Sequence, residues 1–272
     1  MQKKLYFAIL AKGVMPLELS YNILEVFMKR RLMSSLLVLG IIATSSTIVE
    51  ASGPKVAYTQ KGVTALSKND EAKVKTLSIE AIEKSLDGKK QITVSFDIDD
   101  TLLFSSQYFQ YGKEYITPGS FDFLHKQKFW DLVAKRGDQD SIPKEYAKKL
   151  IAMHQKRGDK IVFITGRTRG SMYKEGEIDK TAKTLAKDFK LDKPIAVHYT
   201  GDKAIKPYKY DKSYYIKKYG SEIHYGDSNE DIHAAREVGA RPIRILRAPN
   251  STNLPLPQAG GYGEEVLENS AY

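Results

Sequence analysis

Asp97 and Asp99 stand one residue apart, directly after an apolar run that includes Ile92, Val94 and Phe96. Side chains of an extended strand alternate faces, so the two carboxylates point the same way if the strand continues. Like charges beside a buried strand repel each other and lose hydration, and a hard cation that prefers oxygen relieves both problems. The alternative is a polar turn after a core strand, because Asp and Thr also favour helix starts and loops. Residues further along the chain decide between the two.

Thr165-Gly166 closes a second apolar run, Lys160 to Ile164. Asp227 closes another, Glu222 to Tyr225, with Asp231 four residues on. Lys203, Lys206, Lys209 and Lys212 lie ahead of that run. Together these are the groups that phosphoryl chemistry needs. Hydroxyl, backbone amide, ammonium and Mg2+ neutralise phosphoryl oxygens, and a carboxylate attacks phosphorus.

The elements that must position these groups follow from periodicity. Short strands are expected at Ile92 to Phe96, Lys160 to Ile164, Ile195 to Tyr199, Glu222 to Tyr225 and Pro242 to Leu246. Helices are expected over Asn69 to Leu86, Pro143 to Arg157 (with Pro143 in the first turn), 175 to 189, Tyr214 to Tyr219 and Glu230 to Val238. Five strands alternating with helices predict a parallel sheet covered on both faces, with its ligands at the carboxyl ends of the strands.

The region of about 103–150 holds nine aromatic residues between Phe104 and Trp130. It reads as an insertion, either a small core of its own or a lid and pocket wall. Residues 52–68 read as an extended arm. Pro249 to Tyr272, rich in Gly, Pro and Asn, reads as a tail.

The chain has 272 residues and no cysteine, which excludes disulfides, thiolate metal sites and a cysteine nucleophile. Lys29, Arg30 and Arg31 precede a short apolar run, Leu32 to Ala43, followed by small residues, the pattern of a cleaved signal peptide. We therefore expect a leader over 1–51, with the signal peptide at 28–51 and Met28 as a second candidate start. A single domain over 52–272 and no membrane attachment after cleavage complete the expectation. The leader carries +3 of the formal charge of +10, which leaves +7. The remaining lysines are scattered among acidic residues, an arrangement that suits small anionic substrates and not a nucleic-acid polymer.

Asp97-Ile-Asp99-Asp-Thr101, Thr165, a downstream lysine, and Asp227 with Asp231 resemble the four ordered motifs of the haloacid dehalogenase superfamily. Phe96 to Ser106, Ser141-Ile-Pro-Lys144, Gly226-Asp-Ser and the stretch from Arg244 to Tyr272 resemble, more narrowly, the class B non-specific acid phosphatases secreted by Gram-negative bacteria. The resemblance covers residues 70–272. It implies an α/β, three-layer, Rossmann-like haloacid dehalogenase fold with a parallel central sheet and a small, mainly helical cap.

It further implies a Mg2+-dependent acid phosphatase of broad specificity, acting on nucleotides and aryl phosphates, with possible phosphotransfer to other acceptors. In that family Asp97 is the nucleophile and Asp99 the acid and base, with its pKa expected to be partly raised by burial and by Asp97. One Mg2+ per subunit is held by Asp97, the Asp99 backbone carbonyl and Asp227, and Asp231 orients a metal water or the lysine. Thr165 and Gly166 hold phosphoryl oxygens, Arg167 supports or steers the phosphate, and spacing favours Lys212 over Lys206 as the lysine. Phe109, Leu124 and Trp130 fall on an apolar substrate pocket, where Asn253 replaces the family's usual Tyr. The family also implies a periplasmic location and a homotetramer. A phosphatase or nucleotidase of narrower specificity is the nearest alternative, and a non-catalytic phosphate-binding protein the next.

Overall fold

The computed structural model describes residues 74–272, so the leader, the arm and the first residues of the Asn69 helix lie outside the described residues. Seven strands form one sheet: β1 (Lys75–Leu77), β2 (Thr93–Phe96), β5 (Lys160–Thr165), β6 (Val197–Tyr199), β7 (Ser221–Gly226), β8 (Arg241–Arg244) and β9 (Glu265–Leu267). Their order is β1-β9-β8-β7-β2-β5-β6, and every pairing is parallel. The two remaining strands, β3 (Leu103–Phe104) and β4 (Ile142–Pro143), pair antiparallel and join the two ends of the aromatic insertion.

The sheet is the middle of three layers, and the sequence shows why. Along β5, Ile161 and Phe163 enter one apolar cluster with Val94, Phe96, Leu150 and Ile151, while Val162 and Ile164 enter another with Tyr215, Ile216 and Ala234. A strand whose odd and even residues are both buried belongs inside a parallel sheet covered on both faces.

The helices are α1 (Ile79–Ser85), α2 (Ser106–Tyr111), α3 (Gln127–Arg136), α4 (Glu145–Arg157), α5 (Lys180–Asp188), α6 (Ser213–Tyr219) and α7 (Asn229–Glu237). A π-helical turn (Gly112–Ile116) and a 3-10 turn (Asp122–His125) complete the insertion. Within it Tyr108, Phe109, Phe123, Phe129, Trp130 and Val133 bury against one another as a separate small core. Residues 145–150, at the end of the expected insertion, instead belong to α4, whose Tyr146, Ala147 and Leu150 pack on the main core.

Several expectations require correction. The Asn69 to Leu86 helix is shorter because Ser78 accepts a bond from the Ala81 amide (3.2 Å) and starts the helix at Ile79. Residues 75–77 are instead a strand paired with β9, so Val74 and Leu77 only mimicked helical spacing. Pro143 lies in β4, not in the first turn of α4. The helix placed at 175 to 189 starts at Lys180, where the Asp179 carboxylate caps the Ala182 amide at 2.7 Å. The tail is not merely loop, since it supplies the seventh strand, inserted between β1 and β8.

His198 of β6 stacks on Tyr215 with 4.7 Å between ring centroids. Burial first, then the Lys218 and Arg169 charges, push its imidazole down to about 4. The Glu175 carboxylate, 3.1 Å from Nδ1, opposes this weakly because it is half exposed and also pairs with Arg169. An unfolded histidine titrates near ~6.5, so the folded state's preference for the neutral ring is fully present above that pH. Stability is then lost as pH falls from ~6.5 toward the depressed value, by up to about 3 kcal/mol. Urea unfolding at pH 7 and pH 4.5 should show a smaller loss for His198→Phe than for wild type, and equal losses would refute this.

Candidate active site

β2 lies between β5 and β7, with Phe96 in register with both Phe163 and Tyr225. The carboxyl ends of the three strands therefore finish side by side, which brings together Asp97, Thr165 and Asp227 from positions far apart in the chain. The Asp97 amide donates to the Tyr225 carbonyl at 2.9 Å, and the chain then turns away from the sheet. In that turn the Leu102 and Leu103 amides both donate to the Ile98 carbonyl. Asp97 and Asp99 line one cleft for this reason, and not because a strand continues through them.

Lys212, at the start of α6, places Nζ 2.6 Å from Asp97 Oδ1 and 2.6 Å from Asp231 Oδ1. The lysine that spacing favoured is the one the fold brings to Asp97, whereas Lys206 lies on an exposed loop. The Asp231 Oδ1 atom also bonds His224 Nε2 (3.1 Å), and His224 Nδ1 reaches Ser95 Oγ (2.9 Å). Its Oδ2 accepts from the Ser228 amide and hydroxyl, completing a capping box at the start of α7. Asp231 is therefore both helix cap and support for Lys212. Gly226 is required beneath it, since any Cβ there would overlap the Asp231 side chain.

Burial, together with the Asp231, Asp227 and Asp99 carboxylates, pushes Asp97 well above the usual carboxylate range in spite of Lys212. Burial works against the Lys212 ammonium, but Asp231 and Asp97 outweigh it and hold the lysine charged. Asp231 is held far below the usual range by Lys212 and His224, which overcome its burial.

Asp99 departs from expectation. Burial alone would raise its pKa, but the Arg167 guanidinium overrides burial and holds it below the usual range. Arg167 Nε and Nη2 each lie 2.7 Å from an Asp99 oxygen, while Nη1 and Nη2 each lie 2.8 Å from an oxygen of Asp138. The residue expected to support or steer phosphate is thus committed to two carboxylates, at 3% exposure.

Asp227 is clasped too. Arg247 Nε lies 2.5 Å from Oδ2, the Thr101 hydroxyl 3.3 Å from Oδ1, and Arg244 Nη1 2.7 Å from its backbone carbonyl. Asp100, at φ 56°, turns its side chain toward the tail, where Ser251 Oγ (2.9 Å) and Asn253 Nδ2 (3.3 Å) donate to Oδ2. Burial first, then Asp227, raise it to about 6. Buried Lys144 donates to the backbone carbonyls of Asp100 (2.6 Å) and Leu246 (2.9 Å).

A cleft of about 570 Å³ opens over this group. Phe109, Leu124, Trp130 and Asn253 line it, together with Thr165, Gly166, Asp202, Lys212 and the aspartates. Carboxylate oxygens of buried Asp97, Asp227 and Asp231 lie within 4.8 Å of one another, a donor set of the kind that hard divalent cations take.

Comparison with known proteins shows the family. The family described as HAD superfamily, subfamily IIIB (acid phosphatase), matches residues 39–254. The chain belongs to the class B acid phosphatases. The class B acid phosphatase of Haemophilus parainfluenzae is 46% identical over 234 residues, 86% of this chain and 96% of that protein. That of Haemophilus influenzae is 42% identical over 243 residues, 88% of this chain and the whole of that one. The haloacid dehalogenase fold and the phosphatase activity follow from this membership.

The sequence reading of the phosphatase missed Asp138, His224, Arg247 and Asp100. Asp138 lies in the aromatic insertion with no pattern that marks it, and Arg247 appears only as part of a family stretch. Each has its role through partners distant in the chain.

Proposed function

We propose that the phosphatase hydrolyses small phosphomonoesters, nucleotides and aryl phosphates among them, through a phosphoaspartyl intermediate on Asp97. One observation carries the assignment. Of the four aspartates singled out at the strand ends, only Asp97 has an oxygen, Oδ2, without a hydrogen-bond partner among the described residues. Both oxygens of Asp99 bond Arg167, both of Asp227 bond Thr101 and Arg247, and both of Asp231 are used by its cap and by Lys212.

In this reading an Asp97 oxygen attacks phosphorus while the bond from phosphorus to the leaving oxygen breaks. Asp99, which takes up a proton against the pull of Arg167 once the negative charge of the phosphate enters the cleft, gives that oxygen the proton. As a carboxylate it then takes a proton from the water that attacks the phosphoaspartate, which releases phosphate and restores Asp97. Thr165, the Gly166 amide and Lys212 hold the phosphoryl oxygens. Phe109, Leu124 and Trp130 pack the organic group, and Asn253 offers it an amide where relatives are expected to offer an aromatic ring.

Asp97, Asp227 and the Asp99 backbone carbonyl would hold Mg2+, which when bound neutralises charge on the phosphoryl oxygens. The donor set fits, because buried carboxylates crowd there with Lys212 as the cation between two of them. Asp231 is the poorest ligand of the three, its oxygens being already bonded. Export by the 28–51 leader, a periplasmic location and a homotetramer belong to the same reading, and rest on the sequence pattern and on kinship.

The test is hydrolysis of p-nitrophenyl phosphate after EDTA treatment, with and without added Mg2+. Activity should fall by at least ~100-fold and return with the metal, as expected for loss of a principal electrostatic stabiliser. Mg2+ should also raise the thermal midpoint of the EDTA-treated protein. Full activity in EDTA would sink the metal-dependent reading.

A further inference from the structure

We propose that Asp138, a residue of the aromatic insertion, is a positioning residue that aims Asp99 at the leaving group by holding Arg167. The inference rests on the reading of Asp99 as the proton donor to the leaving oxygen.

The geometry carries it. Arg167 makes a 2.7 Å hydrogen bond to each oxygen of Asp99, and the Ser105 hydroxyl is a lesser neighbour, so the direction of the carboxylate depends chiefly on where that guanidinium stands. Arginine reaches Asp99 on a long side chain with several free torsions, and a single bidentate contact leaves the pair free to swing together. Asp138 removes that freedom. It takes Nη1 and Nη2 at 2.8 Å each, so the guanidinium is gripped on two edges and its plane is fixed.

Asp138 is itself immobilised, at 1% exposure. The Thr181 hydroxyl of α5 donates to Oδ2 at 2.7 Å and the Ser141 hydroxyl to Oδ1 at 3.1 Å. A continuous line of hydrogen bonds therefore runs from α5 through the insertion to Asp99. Trp130 of the substrate wall has its ring 6.0 Å from the same guanidinium, so the insertion sets the substrate wall and the acid from one place. Proton transfer requires the acid within roughly 2.6–3.2 Å of the oxygen that receives it, so small rotations of Asp99 matter.

Loss of orientation and simple loss of stability can be told apart by the leaving group. p-Nitrophenol departs as a stable anion and barely needs a proton, whereas an alkoxide needs one. The experiment measures kcat/KM for p-nitrophenyl phosphate and for β-glycerophosphate in wild type, Asp138→Asn, Thr181→Val and Asp99→Asn. The ratio of the two substrates on one preparation is independent of how much protein is folded.

We expect Asp138→Asn to lose about 100-fold on the alkyl ester and less than about 5-fold on the aryl ester, within the range of general acid catalysis. Thr181→Val should move the ratio the same way by less, and Asp99→Asn by more. If Asp99→Asn shifts the ratio while Asp138→Asn lowers both substrates equally, the proposal is overturned and the role of Asp99 stands. If Asp99→Asn itself lowers both equally, the reading of Asp99 fails and the proposal fails with it.

Discussion

Asp97→Asn is expected to reduce kcat for an aryl phosphate by at least about 10⁴-fold, the scale seen when a nucleophile is removed from a machinery that acts as a unit. The amide keeps the shape of the carboxylate and its oxygen can still accept from Lys212, so the change removes the nucleophile and one charged metal ligand without altering the packing. No neighbour can take over, since Asp99 is gripped by Arg167 and Asp227 by Arg247 and Thr101. The fold should survive, because the substitution removes one negative charge from a buried group that holds several, and Lys212 keeps Asp231. Phosphate release and urea unfolding on the same preparation check both halves. A variant that keeps more than a tenth of the wild-type rate would exclude attack by Asp97.

Lys212→Met should instead damage stability and activity together. Methionine fills similar space without charge, and leaves Asp97 and Asp231 facing each other with no cation between them. Removing one partner of a buried ion pair costs about 3–5 kcal/mol, because the remaining charge stays buried without compensation. Loss of the ammonium from the phosphoryl group should add a fall in kcat of ~100-fold or more. Urea unfolding reads the first effect. The double variant Lys212→Met with Asp231→Asn should recover part of the lost stability, since the two residues interact directly and their effects are not additive. A single variant as stable as wild type would mean that Lys212 does not neutralise the pair.

The strand-end residues were legible because each is a polar residue placed where an apolar run stops, a local pattern that survives without knowledge of the fold. Asp97, Thr165 and Asp227 needed only the rule that parallel strands finish together. Lys212 could be selected from four lysines by its distance from Asp227. The grip of Arg167 on Asp99 was not legible. Burial and the proximity of Asp97 argued for a raised Asp99, and nothing near Asp99 in the sequence announces Arg167, 68 residues away. Asp138 is more hidden, because its partners Arg167 and Thr181 stand 29 and 43 residues further on. Strands β1 and β9 were missed for another reason: at three residues each they are too short to show a period.

The sheet's outer edge sets a schedule for the chain as it is made. β1 is laid down before every other described strand, yet its only neighbour among them is β9, which emerges some 190 residues later. The same late stretch delivers Arg247 to Asp227, and Ser251 and Asn253 to Asp100. A nascent chain that has already produced Asp97, Thr165 and Lys212 still lacks the pieces that close the cleft. Contacts of such long sequence separation form slowly. Assembly of the edge and completion of the active site thus coincide, and hydrolytic capacity arrives only when synthesis of the domain is nearly over.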